Sequence, residues 1–197
     1  GNVTNFTELR ERYFKKSGMR LNSSCDLEVI LFVFQAALAG RMRPGHPIEA
    51  EDVFHAVTAV YQQVKGAYSV VATIADGGLI AFRDPFGIKP CAFGEKQTPE
   101  GKWFACASET VVLDVNGYKR SFDLDAGEAV FVGADRKVVR KKLSDKPHRP
   151  CIFELVYFSR PDSVVFGRAV QDSREALGQQ LAREAPADAD LVVPVPD

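Results

Sequence analysis

The sequence predicts an α+β fold in which a group of helices precedes a run of antiparallel strands. Three observations carry this. Apolar residues recur at three-then-four spacing as far as residue 64. After Gly66 the period shortens towards two, β-branched and aromatic residues take over, and hairpin-type turns appear. A second shift comes at residues 144–150, a polar stretch holding Pro147 and Pro150 that reads as a linker or domain edge.

The first helix is expected over residues 5–17. Asn5 can cap it, Glu8 sits at the third helical position, and Phe6, Leu9, Tyr13 and Phe14 share a face. Gly18 stops it, and 19–21 is a short extended piece. Ser23, Ser24 and Asp26 crowd the start of a second helix, with Val29, Ile30, Val33, Phe34 and Leu38 as its buried face and Gly40 as its end. A third helix over 49–64 places Val53, Phe54, Val57, Val60, Tyr61 and Val64 on one side. Strands follow at 67–74 and 79–83, joined by the turn Asp76-Gly77-Gly78. After the loop 84–90, strands are expected at 91–93 and 103–107 around a polar loop at 96–101. A short helix at 109–115 and strands at 121–124, 128–132 and 138–143 complete this part. Beyond the linker, 152–158 reads as extended and 168–184 as a helix with Val170, Leu177 and Leu181 inward. Residues 189–195 read as a buried parallel strand.

Composition narrows the function classes. The 197 residues are 46% hydrophobic and 26% charged, which excludes a wholly disordered chain. Lys plus Arg number 25 against 26 Asp plus Glu, so nothing electrostatic favours nucleic acid or an anionic membrane as main partner. The richest apolar run, 29–38, is too short to span a bilayer. No leader is visible at the start, although the chain opens on Gly rather than Met. Cys25, Cys91, Cys106 and Cys151 form no C-x-x-C pair and read as reduced thiols of a cytoplasmic protein. His46, His55 and His148 lack metal-ligand spacing and read as surface or helix-flank residues.

The chain assembles no nucleophile with a base. Cys91 and Cys106 lie in apolar strands and read as core. Cys25 stands at a helix start, where the helix dipole favours a thiolate, but Asp26 follows it and no His is near in sequence. Phosphate loops and serine-nucleophile elbows are absent. Binding is better represented. Asp26 is either a helix cap or a carboxylate aimed at a ligand ammonium. Gly1 and Gly87 either offer a backbone N–H to a ligand or serve turns. Asp84 in Arg83-Asp84-Pro85 reads as a turn residue that bonds its own backbone.

Four stretches together resemble one family. Gly1-Asn2-Val3-Thr4-Asn5 is similar, from the Gly onward, to the N-G-N-x-T-N segment of class II, N-terminal-nucleophile glutamine amidotransferases. Ser23-Ser24-Cys25-Asp26-Leu27-Glu28 looks like that class's S/T-x-D-x-E segment. Arg83-Asp84-Pro85-Phe86-Gly87-Ile88-Lys89-Pro90 and Ala107-Ser108-Glu109 resemble its R-D-P-x-G-I-R/K-P and A-S-E signatures. Within the class, Cys151-Ile152-Phe153-Glu154-Leu155-Val156-Tyr157-Phe158-Ser159-Arg160-Pro161-Asp162-Ser163 resembles the amidophosphoribosyltransferase family, as do Gly178-Gln179-Gln180-Leu181 and residues 190–197.

The resemblance implies an N-terminal-nucleophile glutaminase sandwich over 1–146, antiparallel sheets with helices. Residues 147–197 would form a linker and the start of an α/β phosphoribosyltransferase domain. It implies that glutamine-derived ammonia displaces pyrophosphate from phosphoribosyl pyrophosphate to give phosphoribosylamine, the first committed step of de novo purine synthesis. Gly1 would supply an oxyanion-hole N–H, and Asp26 would hold the glutamine α-amino group. Cys151 falls where one branch of the family ligates a four-iron four-sulfur cluster, with three further ligands downstream. Magnesium would serve the transferase half at a site outside this chain. Purine nucleotides as feedback inhibitors, a homotetramer and a cytoplasmic location are also implied. The family's terminal Cys nucleophile and its phosphoribosyl pyrophosphate loop are not in this sequence, so the chain is expected to be a fragment truncated at both ends and inactive alone. The alternatives are another class II amidotransferase, of the asparagine synthetase or glucosamine phosphate synthase type, and a non-catalytic scaffold of the same fold.

Overall fold

The structure, a computed structural model, describes residues 1–18, 20–75 and 77–193. A short strand β1 (Asn2–Val3) leads into three helices, α1 (Phe6–Ser17), α2 (Asp26–Ala39) and α3 (Ala50–Gln63). The strands β2 (Gly66–Ala67), β3 (Ser69–Ile74), β4 (Gly78–Arg83), β5 (Ala92–Thr98) and β6 (Gly101–Ala107) follow. Then come α4 (Thr110–Val115), β7 (Lys119–Asp123), β8 (Glu128–Gly133) and β9 (Val138–Lys142). A π-helical turn (Glu154–Phe158), the ribbon β10 (Val164–Val165) and β11 (Arg168–Ala169), and α5 (Val170–Glu184) close the described chain. This is the α+β order expected, with antiparallel pairing throughout the sheets of the described residues.

Three layers stack. A four-stranded sheet of order β3-β4-β8-β9 lies between the helices and a three-stranded sheet of order β6-β5-β7. Alternation along the central strands builds both interfaces. Ile80, Phe82, Ala129 and Phe131 face α2 and α3, meeting Val29, Val33, Phe34, Val53, Val57 and Val60. Ala81, Val130 and Val132 point the other way, onto Cys91, Phe93 and Leu124. Phe82 is the centre of the helix-side core. Phe34 stacks on it at 6.3 Å, and Tyr61 and Tyr68 meet it edge-on at 6.2 and 6.3 Å.

Helix faces expected from the spacing are the faces buried. In α2 these are Val29, Ile30, Val33, Phe34 and Leu38, and in α3 Val53, Phe54, Ala56, Val57 and Val60. Gly18, at φ +67°, stops α1 in the left-handed conformation that glycine allows. Among the described residues no helix is long and apolar enough to cross a membrane.

Several local expectations are corrected. Asn5 does not cap α1; its side chain donates to the Gln63 carbonyl (2.9 Å) and accepts from the Lys65 N–H (2.9 Å), a bond over 60 positions of chain. The polar 96–101 segment is mostly strand, because Lys96 and Gln97 pair with Trp103 and Lys102 and leave only a tight turn. Residues 152–158 are not extended. Their amides bond back along the chain, and Arg174 binds the carbonyls of Leu155, Tyr157 and Ser159 at the end of the turn. Apolar runs without a period do not distinguish these outcomes. In α5 only Val170 is buried, whereas Leu177 and Leu181 are 48% and 63% exposed. Residues 189–193 form no strand, since among the described residues none pairs with them. Met19 of the expected extended piece, Asp76 of the hairpin turn and 194–197 lie outside the described residues.

Phe82→Ala is expected to lower the unfolding free energy by about 3–5 kcal/mol, the usual cost of deleting a buried aromatic ring. Urea denaturation checks this. A loss under about 1 kcal/mol would place the core's centre elsewhere.

Candidate functional site

Two clusters bring together the residues singled out from the sequence. The first holds the N-terminal segment. β1 lies antiparallel to β2, with Asn2 opposite Ala67 and Val3 opposite Gly66. Gly66 has φ +151°, and a Cβ there would stand 2.1 Å from the Asn2 carbonyl oxygen, so glycine alone permits the approach. Gly1 is similarly pressed, its would-be Cβ 2.6 Å from the Ala67 carbonyl oxygen. Thr4 N donates to the Lys65 carbonyl at 2.8 Å, and Asn5 ties the same stretch.

Asp26 joins this cluster from the first turn of α2. Its Oδ2 accepts the Val3 N–H at 2.7 Å. It is therefore spent on the N-terminal segment rather than on capping its own helix, where Cys25 at the N-cap makes no side-chain bond. Glu28 secures the approach to α2 instead, accepting from the Asn22 N–H (2.7 Å) and from the N–H and hydroxyl of Ser23 (3.0 and 2.8 Å). Those bonds, the Asn22 amide foremost, hold its carboxyl below the usual range. Gly1 and Asp26 thus stand at one place, Gly1 on the N-terminal segment and Asp26 on α2, linked through the Val3 N–H.

The second cluster is the loop 84–90. Arg83 is 3% exposed and Asp84 fully buried, yet the two side chains do not pair with each other. Arg83 donates to the carbonyls of Lys89 (2.5 Å), Leu124 (2.6 Å) and Gly87, and its Nη2 lies 3.1 Å from His148 Nε2. Asp84 accepts from the N–H groups of Phe86 (3.0 Å), Ile88 (2.9 Å) and Lys89 (3.2 Å), the turn expected from the sequence extended by two residues. Its own N–H donates to the Tyr68 carbonyl at 2.8 Å. Burial pulls Arg83 below its ordinary value, opposed by the Asp84 carboxylate. Gly87 is a turn residue here. It has φ +60°, and a Cβ would meet His148 and Ala126 at 2.9–3.0 Å.

The C-terminal segment docks on this loop. Arg149 N donates to the Phe86 carbonyl (2.8 Å) and Cys151 N to that of Ile88 (3.1 Å). Lys89 Nζ pairs with the buried Glu154 at 2.6 Å and lies 4.7 Å from the centre of the Phe158 ring. Glu109, the acid of Ala107-Ser108-Glu109, accepts from Arg160 N (2.7 Å) and Ser163 Oγ (2.8 Å), while Thr110 Oγ1 accepts from Val164 N (2.8 Å). Sequence reasoning missed the roles of Lys89, Glu109 and Glu154. The signal for Glu154 was a single acid inside an apolar run.

The cysteines divide as their surroundings dictate. Cys25 is exposed, Cys91 buried, and Cys106 and Cys151 half-buried, all with free thiols. Burial pushes Cys91 and Cys106 up to about 12, so neither is a nucleophile near neutral pH. Among the described residues no group of three or more His, Cys, Asp or Glu could hold a metal ion. A four-iron cluster takes a set of thiolates, of which Cys151 would be one. His46, His55 and His148 are all exposed.

Residues 1–114 match the model of the glutamine amidotransferase domain. The chain belongs to that family, and the segments at 1–5, 23–28, 83–90 and 107–109 fall within the matched residues. Its similarity to known proteins runs further along the chain. It is 40% identical over 203 residues to an amidophosphoribosyltransferase of Pseudomonas aeruginosa, 36% over 204 to one of Escherichia coli and 36% over 207 to one of Saccharomyces cerevisiae. Each alignment takes in 100% of this chain and 40% of the relative, so the chain spans less than half their length. The solved glutamine phosphoribosylpyrophosphate amidotransferase of B. subtilis, complexed with ADP and GMP, is 27% identical with a TM-score of 0.75 over 96% of this chain and 38% of its own. A structure described as the allosteric regulatory enzyme of purine biosynthesis gives 0.76 at the same identity, over 96% of this chain and 37% of its own.

The buried thiols set an alkaline limit. An acid whose folded pKa lies above its unfolded value keeps its proton in the fold and loses it on unfolding. Stability from Cys91 and Cys106 is therefore full below about pH 8.5, the unfolded thiol value, and falls as the pH climbs towards about 12. Thiolate absorbance at pH 10 is expected to leave two thiols un-ionised in the folded protein and both ionised in urea. Four thiolates in the folded protein at that pH would contradict it.

Proposed function

We propose that this chain is the glutaminase part of an amidophosphoribosyltransferase, with the transferase part beginning near residue 147. One observation carries the reading. The similarity to amidophosphoribosyltransferases takes in the whole chain, and so continues past residue 114, where the glutamine amidotransferase match ends. Asparagine synthetase and glucosamine phosphate synthase would share the first part alone.

In this reading a thiolate attacks the glutamine carboxamide carbon, and the C–N bond breaks with release of ammonia. Water then hydrolyses the thioester to glutamate. Gly1 N–H donates to the oxyanion of each tetrahedral intermediate, and Asp26 receives the α-ammonium group. The nucleophile is none of Cys25, Cys91, Cys106 and Cys151, because none carries the α-amino group that serves as base. The 197 residues alone are therefore expected to be inactive towards glutamine. Ammonia passes to the transferase part and displaces pyrophosphate from phosphoribosyl pyrophosphate to form phosphoribosylamine. Magnesium would serve the transferase part at a site outside these residues, where it would supply positive charge for the pyrophosphate. Feedback by purine nucleotides, a tetrameric assembly and a cytoplasmic location belong to the same reading.

The test is steady-state synthesis by the full-length protein. Phosphoribosylamine should form from phosphoribosyl pyrophosphate with either glutamine or ammonia, and glutamate should appear only with glutamine. Amidation of aspartate or of a hexose phosphate instead would overturn the assignment.

A further inference from the structure

The two oxygens of Asp26 have different surroundings. Oδ2 accepts the Val3 N–H at 2.7 Å, and among the described residues no donor bonds to Oδ1. Val3 is 5% exposed and stands opposite Gly66, at the point where a Cβ would collide with the backbone of β1. Gly1 lies two residues upstream, against Ala67 and Tyr68. The segment from Gly1 to Val3 is thus pinned on one side by β2 and on the other by a carboxylate. The ladder to β2 is only two residues long. So short a pairing is weak by itself, and a charge-assisted bond from a helix is the stronger anchor.

We infer that Asp26 is a positioning residue for the oxyanion hole as well as a ligand for the substrate ammonium: Oδ2 fixes the Val3 amide, and with it the Gly1 N–H, while Oδ1 takes the ammonium group. The inference rests on the reading of the site given above. It couples recognition to chemistry through one side chain. An ammonium on Oδ1 and an amide on Oδ2 share one planar carboxylate, so a substrate seated at one end meets a Gly1 N–H already in place at the other. Preorganisation of that kind is where an oxyanion hole gains its effect.

The roles separate by substitution in the full-length protein. Asp26→Asn keeps an oxygen for the Val3 N–H and loses the charge. Asp26→Ala loses both. Val3→Pro removes the N–H and leaves the carboxylate. Glutaminase kinetics should show a raised glutamine KM with kcat within about threefold for Asp26→Asn. For Asp26→Ala the same rise in KM should come with a further loss in kcat of about 10²-fold, the scale of one misplaced oxyanion donor. Val3→Pro should lower kcat with little change in KM, and stands in for Asp26→Ala if that variant does not fold. Glutaramate, the glutamine analogue without an α-amino group, removes the ammonium contribution; only Asp26→Ala and Val3→Pro should slow its hydrolysis. Ammonia-dependent phosphoribosylamine synthesis reports folding of each variant.

Equal kcat values for Asp26→Asn and Asp26→Ala, or unimpaired turnover of glutaramate by Val3→Pro, would overturn the positioning role. An unchanged glutamine KM in both Asp26 variants overturns the ammonium assignment and with it the two-oxygen scheme. A full-length parent with no glutaminase activity would instead remove the reading beneath it.

Discussion

Burial of a full positive and a full negative charge side by side is the constraint on which the rest of this structure depends. Arg83 ends β4 and Asp84 follows it, both with almost no exposure, and they are not neutralised by each other. Each is solvated by backbone, Arg83 by three carbonyls and Asp84 by three amides, most of them in the same seven-residue loop. Hydrogen bonds to charged groups contribute about 1.5–3 kcal/mol each, and a buried charge left unpaired costs more than that. The loop therefore has one low-energy shape. Phe86, Ile88 and Lys89 must turn their N–H groups inward, while Gly87 and Lys89 turn their carbonyls to the guanidinium.

What the loop then holds reaches in two directions. Asp84 N bonds to the carbonyl of Tyr68, which lies between β2 and β3, and β2 carries β1 with Gly1 and Val3. On the other side, the outward carbonyls of Phe86 and Ile88 receive Arg149 and Cys151, and the Lys89 ammonium receives Glu154. A continuous chain of bonds runs from the segment assigned to oxyanion binding to the π-helical turn that opens the C-terminal part. Glu109 and Thr110 add a second attachment for that part at 160–164. The family signatures at 83–90 and 107–109 are thus joints of the scaffold.

The layered architecture was legible in the sequence because each layer leaves a periodic trace. Helices that bury one face repeat at three and four residues, and the buried faces of α2 and α3 follow that pattern. The strands at 78–83 and 128–133 read correctly because β-branched residues and glycine turns bound them. Legibility failed where the deciding partner is remote. Asn5 has the spacing of a cap, but its partners lie 58 and 60 residues away. Residues 152–158 offered no period, and their bend is set by Arg174, Lys89 and the buried Glu154. Leu177 and Leu181 follow a helical stripe that nothing among the described residues covers. In the site, the choice between cap and ligand at Asp26 could not be made from neighbours in sequence. The structure adds a third possibility, a bond to Val3, because the sequence does not reveal that the chain returns to that point.

Native-state hydrogen exchange of the Phe86, Ile88 and Lys89 amides tests most directly whether the buried charges organise the molecule. The account predicts that these three exchange only with global unfolding, at the same free energy as the amides of β4 and β8, although they lie in a loop. It also predicts that the Cys151 amide shares that protection. Exchange of the loop amides through a local opening several kcal/mol cheaper than global unfolding would contradict it.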